Sequence, residues 1–367
     1  GIQVVAEHFD RAAALVDLQL LSNWMMSHDG LPYGCEKPRL LNAGTQNVMI
    51  MFDRGDSSYV LRRPPANAIA GPEKIVAREA TVLRALSRSD VPHPVLFASS
   101  TAPKLLGGPF YVMSAIQGFN VVEGIPGEWG SDADKLTRMA LASVEALFRL
   151  SRFDYAAEGL RDLGNAEGYL DRQVKRWRSQ LDAYAAFRGW SLEGVLRSID
   201  IVAAWLSEHK PASHTTGLIH GDYHLGNILF CAGGCEVAAI VDWELATLGD
   251  PLVDLGWLIA TWPREDGSDS GSGVSVPGAR GLPSAITLLE HYEMLSGRTL
   301  ENFDWYVVMA CYKLGILQEG SWARATAGKA NRAIGQLQHA RAMALIEKAL
   351  GLIHNSRRSS YGLGARK

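Results

Sequence analysis

The chain has 367 residues, of which 47% are hydrophobic and 20% are charged, with 37 Gly and 15 Pro. These proportions are those of a globular protein and exclude a disordered, collagen-like or disulfide-scaffold chain. The 36 Lys and Arg residues nearly balance the 39 Asp and Glu residues, so the formal net charge is −3. This balance argues against a nucleic-acid-binding protein with one dominant basic surface.

The cysteines are too few for a disulfide framework, so we expect a reducing, cytoplasmic compartment. They are Cys35, Cys231, Cys235 and Cys311. Cys231 and Cys235 flank a Gly-Gly pair with no second ligand pair near them in sequence, so we expect a turn there and no zinc site. No apolar run reaches about 18 residues, so we expect no membrane-spanning segment.

The first part of the chain is predicted to be rich in strands. Apolar residues at helical spacing over 4–28 predict one or two N-terminal helices. The β-rich runs 48–52 and 59–61 are separated by Asp-Arg-Gly-Asp and predict a hairpin. A helix is predicted over about 73–87, and two more strands at 95–98 and 110–113.

The rest of the chain is predicted to be mainly helical, over 132–209, 283–297 and 303–350, with short strands over 217–248. The Gly-, Ser- and Asp-rich segment 264–283 predicts a long surface loop. We therefore predict an α+β, bilobal fold, with a small β-rich N-lobe over 1–114 and a larger helical C-lobe over 115–355. Residues 356–367 are predicted to form a flexible tail, and a small ligand is expected between the lobes.

The most informative stretch is LIHGDYHLGNILF, residues 218–230. Two apolar runs flank a polar loop that carries Asp222 and, five residues later, Asn227. Phosphoryl transfer needs a carboxylate that orients the attacking hydroxyl and accepts its proton, and an oxygen ligand for Mg²⁺ close by. This loop can supply both. Taken singly, Asp222 could instead cap a helix and Asn227 could occupy a turn.

A second candidate carboxylate follows the apolar run Ala239-Ile240-Val241, where Asp242 lies fifteen residues after Asn227. An Asp just beyond a buried strand and a tight turn suits a second Mg²⁺ ligand. The order of the three polar residues, loop Asp, loop Asn and strand-borne Asp, favours a phosphoryl-transfer site over three unrelated caps and turns.

These residues resemble the aminoglycoside phosphotransferase and choline kinase superfamily, whose members have a protein-kinase-like fold. The resemblance is carried by LIHGDYHLGNILF (218–230) and IVDWELATLGDPLVDLGW (240–257). Support comes from YVLRRPP (59–65), FYVMSAIQG (110–118) and RQVKRW (172–177). The chain is most similar to the branch found fused to, or associated with, acyl-CoA dehydrogenases. The resemblance covers residues from about 40 to about 260.

The resemblance implies roles for individual residues of the C-lobe. Asp222 matches the catalytic Asp of the family, and Asn227 and Asp242 match its Mg²⁺ ligands. His220 is expected to have a structural role. Asp254 is expected to brace the catalytic loop from the start of a helix.

In the N-lobe, Arg62 ends the predicted strand where kinases usually carry a phosphate-binding Lys. Arg keeps the charge and can bind phosphate bidentately, and Glu79 on the following helix is its expected partner. An exposed surface pair is the alternative for both. Further nucleotide contacts are expected from Thr45 and Asn47 in a covering loop, and from Ser114 and Ile116 at the hinge between the lobes.

The candidate acceptor-binding residues are Arg172, Lys175 and Arg176. They share one helical face at i, i+3 and i+4. This face could bind the phosphates of coenzyme A, and a solvated amphipathic helix is the alternative. The related fused proteins imply a kinase of hydroxyacyl-CoA thioesters. A chain of this length has no room for the dehydrogenase half, so a separate acyl-CoA dehydrogenase partner stays open.

We therefore expect an ATP- and Mg²⁺-dependent phosphotransferase that phosphorylates a hydroxyl group of a small molecule, either a hydroxy acid or a hydroxyacyl-CoA. GTP is an alternative nucleotide. An aminoglycoside kinase is the alternative within the class, and a catalytically silent nucleotide-binding sensor or scaffold is the alternative outside it. Neither a nucleic acid nor a membrane is an expected partner, and the sequence leaves the oligomeric state open.

Overall fold

The computed structural model describes residues 11–356, apart from 30–33, 42–46, 67, 69–70, 103 and 213. The chain divides into two compact units. The first comprises Gly1–Gln117, Tyr155–Leu160 and Ala239–Ala246, and the second comprises Gly118–Asp154, Arg161–Ala238 and Thr247–Lys367. The predicted tail lies outside the described residues beyond Ser356, as does the start of the predicted N-terminal helix.

The first unit is built on a five-stranded antiparallel sheet with the order β1-β2-β3-β5-β4. Its strands are β1 (Glu36–Leu40), β2 (Val48–Arg54), β3 (Ser57–Arg63), β4 (Leu96–Ser100) and β5 (Phe110–Ser114). Its helices are α1 (Leu18–Asp29) and α2 (Pro72–Leu86). The β2–β3 hairpin is the one that the sequence predicts. Its turn includes Gly55 at φ 58°, a backbone region that favours glycine.

Buried and half-buried residues alternate along β2, and the buried apolar ones form the core on one face of the sheet. Ile50 and Phe52 are fully buried, and Leu61 of β3 joins them in one apolar cluster. Leu21 and Met25, one helical turn apart on α1, belong to the same cluster. The apolar stripe of α1 therefore covers the sheet, as its helical spacing predicts.

The second unit is mainly helical. Its helices are α3 (Ala133–Ser151), α4 (Tyr169–Ala183), α5 (Ile199–Glu208), α6 (Leu252–Ala260), α7 (Ala285–Ser296), α8 (Asp304–Thr326) and α9 (Arg332–Asn355). Its strands are β6 (Gly118–Phe119), β7 (Gly217–Ile219), β8 (Ile228–Cys231), β9 (Val237–Ile240), whose first two residues belong to this unit, and β10 (Thr247–Gly249). β7 pairs antiparallel with β10, and β6 with β8. The predicted α+β fold class, with a small β-rich part and a larger helical part, is confirmed.

Two helices of the second unit approach each other closely at a glycine. A Cβ atom on Gly256 of α6 would lie 2.7 Å from the backbone oxygen of Tyr306 on α8. Only glycine permits this distance, because real Cβ atoms do not come so close to a carbonyl oxygen. The contact fixes α6 against α8, and both helices carry residues of the site described below.

Two sequence predictions about elements need correction, and one strand was missed. β1 was not predicted, because EKPRL has little β pattern of its own. The helix predicted over 303–350 is two helices, and the break between them contains Gly328 at φ 72°. The expected surface loop at 264–283 is wrong in part, since Val276 and Leu282 are buried and Gln318 Nε2 donates to the Ser272 oxygen at 2.7 Å.

Candidate active site

Arg62 lies on β3, opposite Met49 of β2 and Tyr111 of β5. Its side chain is buried, and Nη1 donates to Glu79 on α2 and, at 3.3 Å, to the hydroxyl of Tyr111. Helix α2 is the next element after β3 in the chain, so Arg62 and Glu79 come from consecutive elements. The pair is buried, which contradicts the alternative of an exposed surface pair.

Arg62 also contacts two carboxylates on the segment Ala239–Ala246 of the same unit. Its Nη2 donates to Asp242 Oδ1 at 3.1 Å and to Glu244 Oε2 at 3.3 Å. Asp242 has φ 67° and ψ 63°, a left-handed conformation that an Asp tolerates better than most residues. Three carboxylates thus meet one guanidinium, which leaves an excess of negative charge. Within the described residues, the buried atoms Arg62 Nε and Glu79 Oε2 have no hydrogen-bond partner.

The titration of this cluster follows from burial and charge. Burial opposes the charge on Arg62, but Tyr111, Glu79 and Asp242 raise the pKa of its guanidinium, so it stays charged. Burial raises the pKa of Glu79 to about 8, and Arg62 acts in the opposite direction. The cluster therefore combines a permanent positive charge with carboxylates that favour an added cation.

The other predicted nucleotide-binding residues are Thr45, Asn47, Ser114 and Ile116. Thr45 lies outside the described residues, and Asn47 immediately precedes β2, half-buried. Ser114 ends β5, where its hydroxyl accepts the N–H of Val95 at 2.9 Å. Ile116 follows β5 and is half-buried. The side chain of Ser114 is therefore used within the sheet.

Asp222 lies in the second unit, in the loop that follows β7. Its carboxylate is about one-third exposed and is held by donors on both oxygens. Trp257 Nε1 of α6 donates to Oδ1 at 2.9 Å, and Asn227 Nδ2 donates to Oδ2 at 3.1 Å. The carboxylate is thus fixed in orientation and still reachable from solvent.

Asn227 and His224 complete the loop. Asn227 Nδ2 also donates to the backbone oxygen of Asp222 at 2.9 Å, so the amide nitrogen faces Asp222 and the amide oxygen is the atom that can accept a metal ion. His224 Nδ1 accepts the N–H of Gly226 at 2.9 Å. Its Nε2, 3.4 Å from Asp222 Oδ2, must then carry the proton.

The backbone before Asp222 is held by a buried carboxylate. Asp254 at the start of α6 accepts the N–H groups of His220 and Gly221 through its two oxygens, at 2.6 and 2.9 Å. His220 is fully buried, and its Nδ1 lies 3.3 Å from the N–H of Asp222. Lys313 of α8 donates to the Gly221 oxygen at 3.1 Å.

The environment of Asp222 favours its ionised form. Burial acts to raise the pKa, but the hydrogen bond to His224 and the positive charge of Lys313 together hold the pKa well below its usual range. At neutral pH the carboxylate is therefore charged and available as an acceptor.

The three basic residues of α4, Arg172, Lys175 and Arg176, do not form the single basic surface that the sequence predicts. Arg172 turns back and donates to the backbone oxygens of Asn165 and Glu167. Lys175 is exposed. Arg176 lies over the ring of Trp177, 5.1 Å from its centroid, and Lys313 lies 5.4 Å from the same centroid. Of the three, only Arg176 is thereby linked to groups next to the catalytic loop.

Several residues of the site were missed by sequence reasoning. They are Tyr111, His224, Glu244, Trp257 and Lys313. Three of them, His224, Glu244 and Trp257, lie within the two most informative stretches, where their side chains could have been considered as partners. Lys313 is far away in sequence on a helix without a motif, and Tyr111 belongs to an apolar strand.

The cysteines and the membrane prediction can also be checked. Cys231 ends β8 and accepts the Gly234 N–H at 3.3 Å, which is the expected turn, and all four cysteines are free. In the described part of the chain, no cluster of three or more His, Cys, Asp or Glu side chains forms a metal site. Nor does any described helix combine the length and apolarity needed to cross a membrane.

Comparison with known proteins gives consistent results. The model of the phosphotransferase enzyme family matches residues 38–274. Acyl-CoA dehydrogenase family member 11 of Gallus gallus is 30% identical over 308 residues, which are 82% of this chain and 38% of that protein. Family member 10 of Mus musculus is 27% identical over 300 residues, 80% of this chain and 27% of that protein. The chain thus spans between a quarter and two-fifths of these relatives.

Solved structures share the fold. A candidate aminoglycoside phosphotransferase of Ralstonia eutropha has a TM-score of 0.73 and 25% identity, over 92% of this chain and 99% of that one. The GDP complex of aminoglycoside 2'-phosphotransferase-IIIa has a TM-score of 0.61 and 16% identity, over 92% and 99%. The complex of aminoglycoside phosphotransferase APH(4)-Ia with AMP-PNP and hygromycin B has a TM-score of 0.60 and 15% identity, over 90% and 99%.

Proposed function

The chain belongs to the phosphotransferase enzyme family, and we propose that it transfers the γ-phosphate of ATP to a hydroxyl group on a small anionic acceptor. Family membership confirms the predicted enzyme class, a phosphotransferase with an alcohol group as acceptor. The observation that carries the proposal is the Asp222 carboxylate, oriented by Trp257 and Asn227 and kept ionised. Such a group can orient a hydroxyl and take its proton as the phosphate is transferred.

In this proposal Asp222 is the catalytic base, and Asn227 and Asp242 are the protein ligands of Mg²⁺. Mg²⁺ in nucleotide enzymes is bound by one or two protein oxygens and by the phosphates of the substrate. The amide oxygen of Asn227 and the carboxylate of Asp242 are oxygen donors of that kind. When bound, the ion would neutralise charge that develops on the transferred phosphoryl group.

The cluster around Arg62 supports a nucleotide site in the first unit. Glu79, whose pKa is raised to about 8, is mostly protonated at neutral pH, so Asp242 and Glu244 bring two negative charges to one guanidinium. A divalent cation would balance the excess. Arg62 would supply positive charge to a phosphate of the nucleotide. Contacts of Thr45 and Asn47 with phosphate, and of the backbone at Ser114 and Ile116 with adenine, belong to the same proposal.

The charges near the catalytic loop favour an anionic acceptor. Lys313 interacts electrostatically with Asp222 and Asp254, which partly balance its charge. It also interacts with Arg176, so two positive charges lie near these carboxylates. A polycationic acceptor would be repelled by the two positive charges, whereas a carboxylate or a phosphate would be attracted. Together with the acyl-CoA dehydrogenase relatives, this supports a hydroxy acid or a hydroxyacyl-CoA as acceptor, with Lys175 and Arg176 as the surface that receives its charged part.

The experiment is a turnover assay with ATP and with GTP across hydroxyacyl-CoA thioesters, free hydroxy acids and aminoglycosides, with the phosphorylated product identified by mass spectrometry. We expect phosphorylation of an anionic acceptor, dependent on Mg²⁺ and lost in Asp222→Asn. Phosphorylation of aminoglycosides alone would instead support the antibiotic kinase. No product above the Asp222→Asn background with any acceptor would support the nucleotide-binding sensor.

A charge-reversal variant tests the acceptor surface. Lys175→Glu with Arg176→Glu should raise KM for the anionic acceptor at least about tenfold, the change that ~1.4 kcal/mol of binding free energy produces. The KM for ATP should stay unchanged. The matched control is Lys329→Glu with Arg332→Glu, which makes the same change of charge at the exposed loop and helix start between α8 and α9. An equal effect of both double variants would contradict a specific surface on α4.

The proposal also covers the cellular compartment of the protein and a protein partner. Four free cysteines support a reducing, cytoplasmic location. A separate acyl-CoA dehydrogenase that consumes the phosphorylated product is proposed as a partner, because the relatives carry that name. Co-migration of the two proteins in size-exclusion chromatography would test the partnership.

A further inference from the structure

Lys313 has an unusual position on the inner side of α8. Its ammonium lies 4.6 Å from the ring centroid of Trp257 and 5.4 Å from that of Trp177, and it donates to the Gly221 oxygen at 3.1 Å. A half-buried ammonium is costly unless it is compensated, and here the compensation comes from two indole faces and one carbonyl. Two of these three partners lie next to Asp222: Trp257 donates a hydrogen bond to its carboxylate, and Gly221 precedes it in the chain.

Trp257 connects the ammonium to the carboxylate. One face of its ring receives Lys313, and its edge carries the N–H that donates to Asp222 Oδ1 at 2.9 Å. Trp257 is almost completely buried, so the direction of this N–H is set by packing and by the ammonium. The carboxylate of Asp222 is therefore aimed by a side chain that Lys313 holds in place.

Gly221 makes this support necessary. It has φ 85°, and a glycine backbone has wide conformational freedom unless hydrogen bonds hold it. Its N–H is bound by Asp254 and its oxygen by Lys313. Both backbone polar groups of Gly221 are thus held by groups of opposite charge, the N–H by Asp254 on α6 and the oxygen by Lys313 on α8.

We propose that Lys313 and Trp257 are positioning residues of the phosphotransferase, which together fix the Gly221 backbone and the Asp222 carboxylate in the orientation that accepts the proton of the acceptor hydroxyl. The proposal rests on the function proposed above. It requires no contact of either residue with nucleotide or acceptor. The two residues should therefore affect the chemical step and leave nucleotide binding unchanged.

The first measurement does not depend on activity. Hydrogen–deuterium exchange of the unliganded protein should become faster in the peptide that covers 219–227 in Lys313→Met. In Trp257→Phe, which keeps an aromatic ring but removes the indole N–H, one indole N–H signal disappears from the nitrogen–proton NMR spectrum. That same signal should shift in Asp222→Asn and in Lys313→Met. Unchanged exchange in 219–227 together with an unshifted indole signal would overturn the proposal.

The second measurement is steady-state turnover with the acceptor found above, or ATP hydrolysis if water is the acceptor. Trp257→Phe and Lys313→Met should lower kcat about tenfold or more, because each removes a hydrogen bond to a charged group or a charged donor. The KM for ATP should stay unchanged, and Lys313→Arg, which keeps a charged donor, should retain more turnover than Lys313→Met.

Matched controls separate positioning from general loss of stability. Trp262→Phe removes an indole N–H that donates to the Pro283 oxygen, and Lys329→Met removes an ammonium that lies 5.5 Å from the Phe187 ring centroid. Both controls should keep the kcat of the wild type. If the wild type transfers phosphate and the Trp257 and Lys313 variants do so equally well, the positioning role is wrong. If the exchange and NMR changes appear but no protein transfers phosphate, the proposed function is wrong and the positioning of the Gly221 backbone and the Asp222 carboxylate remains.

Discussion

The carboxylate of Asp254 accepts the backbone N–H of His220 at 2.6 Å, and its second oxygen accepts that of Gly221. Asp254→Asn leaves one acceptor oxygen for two donors. We expect a loss of about 1–3 kcal/mol in the free energy of unfolding, the cost of a buried donor without a partner. Turnover of the folded fraction should also fall, because the loop that carries Asp222 loses its support. Urea denaturation and turnover, measured on the same preparation, test both effects.

Asp250→Asn is the control for that prediction. Asp250 is also buried, but it accepts the Leu252 N–H and the Tyr306 hydroxyl, away from the catalytic loop. This variant should lose stability and keep the turnover of its folded fraction. The same loss of turnover in both variants would contradict a specific role of Asp254.

Above about pH 8, where Glu79 is ionised, removing Arg62 should leave its buried carboxylate without compensation. Arg62→Met is expected to cost about 3–5 kcal/mol of unfolding free energy. Arg62→Met with Glu79→Leu should recover a large part of that loss, since neither charge then remains buried. Arg39→Met breaks a partly exposed pair with Asp53 and should cost about 1 kcal/mol or less. Thermal unfolding of the four proteins measures this, and a double variant less stable than Arg62→Met would contradict the account.

Asp222→Asn should abolish most of the phosphoryl transfer and retain nucleotide binding. A general base typically contributes about 10²–10⁴-fold to the rate, and the amide keeps the size of the side chain. Single-turnover rates and the KM for ATP separate the two effects. Near-normal turnover in this variant would remove Asp222 from the role of base.

Asp242→Ala should weaken the binding of the Mg²⁺–nucleotide complex. The wild type should show a thermal shift with ATP that grows when Mg²⁺ is added, since a ligand that binds only the folded state stabilises it. In the variant, the additional shift due to Mg²⁺ should be lost. A shift of the same size with Mg²⁺ in both proteins would exclude Asp242 as a ligand.

A pH-dependent contribution to stability is expected from Glu319. This carboxylate is fully buried on α8, where it accepts Trp190 Nε1 at 2.7 Å and lies 2.7 Å from His339 Nδ1. Burial raises its pKa above the usual value of 4.5, although the hydrogen bonds with His339 and Trp190 act in the opposite direction. The folded protein therefore binds the proton more tightly than the unfolded chain.

The sign follows from proton linkage: where the folded state binds more protons, the free energy of unfolding falls as pH rises. The fall should begin near 4.5 and end above the raised pKa of Glu319. Glu319→Gln cannot titrate, so the difference in unfolding free energy between wild type and variant should change over that interval. Denaturation series at several pH values measure it, and a constant difference would show that the pKa of Glu319 is not raised.

The sequence predicts the elements whose pattern is local. The β2–β3 hairpin follows from two β-rich runs around a Gly-containing turn, and α2 follows from its apolar face. The loop residues Asp222 and Asn227 follow from their spacing between two apolar strands. Each of these predictions depends on a few consecutive residues, which is why no tertiary information is needed.

What the sequence does not predict depends on distant partners. β1 is a strand because it pairs with β2, and EKPRL alone favours no strand. Nothing in the sequence around Lys313 distinguishes it from other helical lysines, and its position beside Trp257 depends on the packing of α8. Arg172 shares a face with Arg176 by spacing, but its guanidinium donates to the backbone oxygens of Asn165 and Glu167. Helical periodicity does not predict these hydrogen bonds.

The close contact of α6 and α8 at Gly256 has a practical consequence for protein engineering. The loop 220–227 is short, and the groups that shape it, Asp254, Trp257 and Lys313, stand on those two helices. A graft of the loop alone into another protein of this fold would transfer the motif and leave its supports behind. A working transplant would have to carry the loop, both helices and the glycine that lets them touch, as one module.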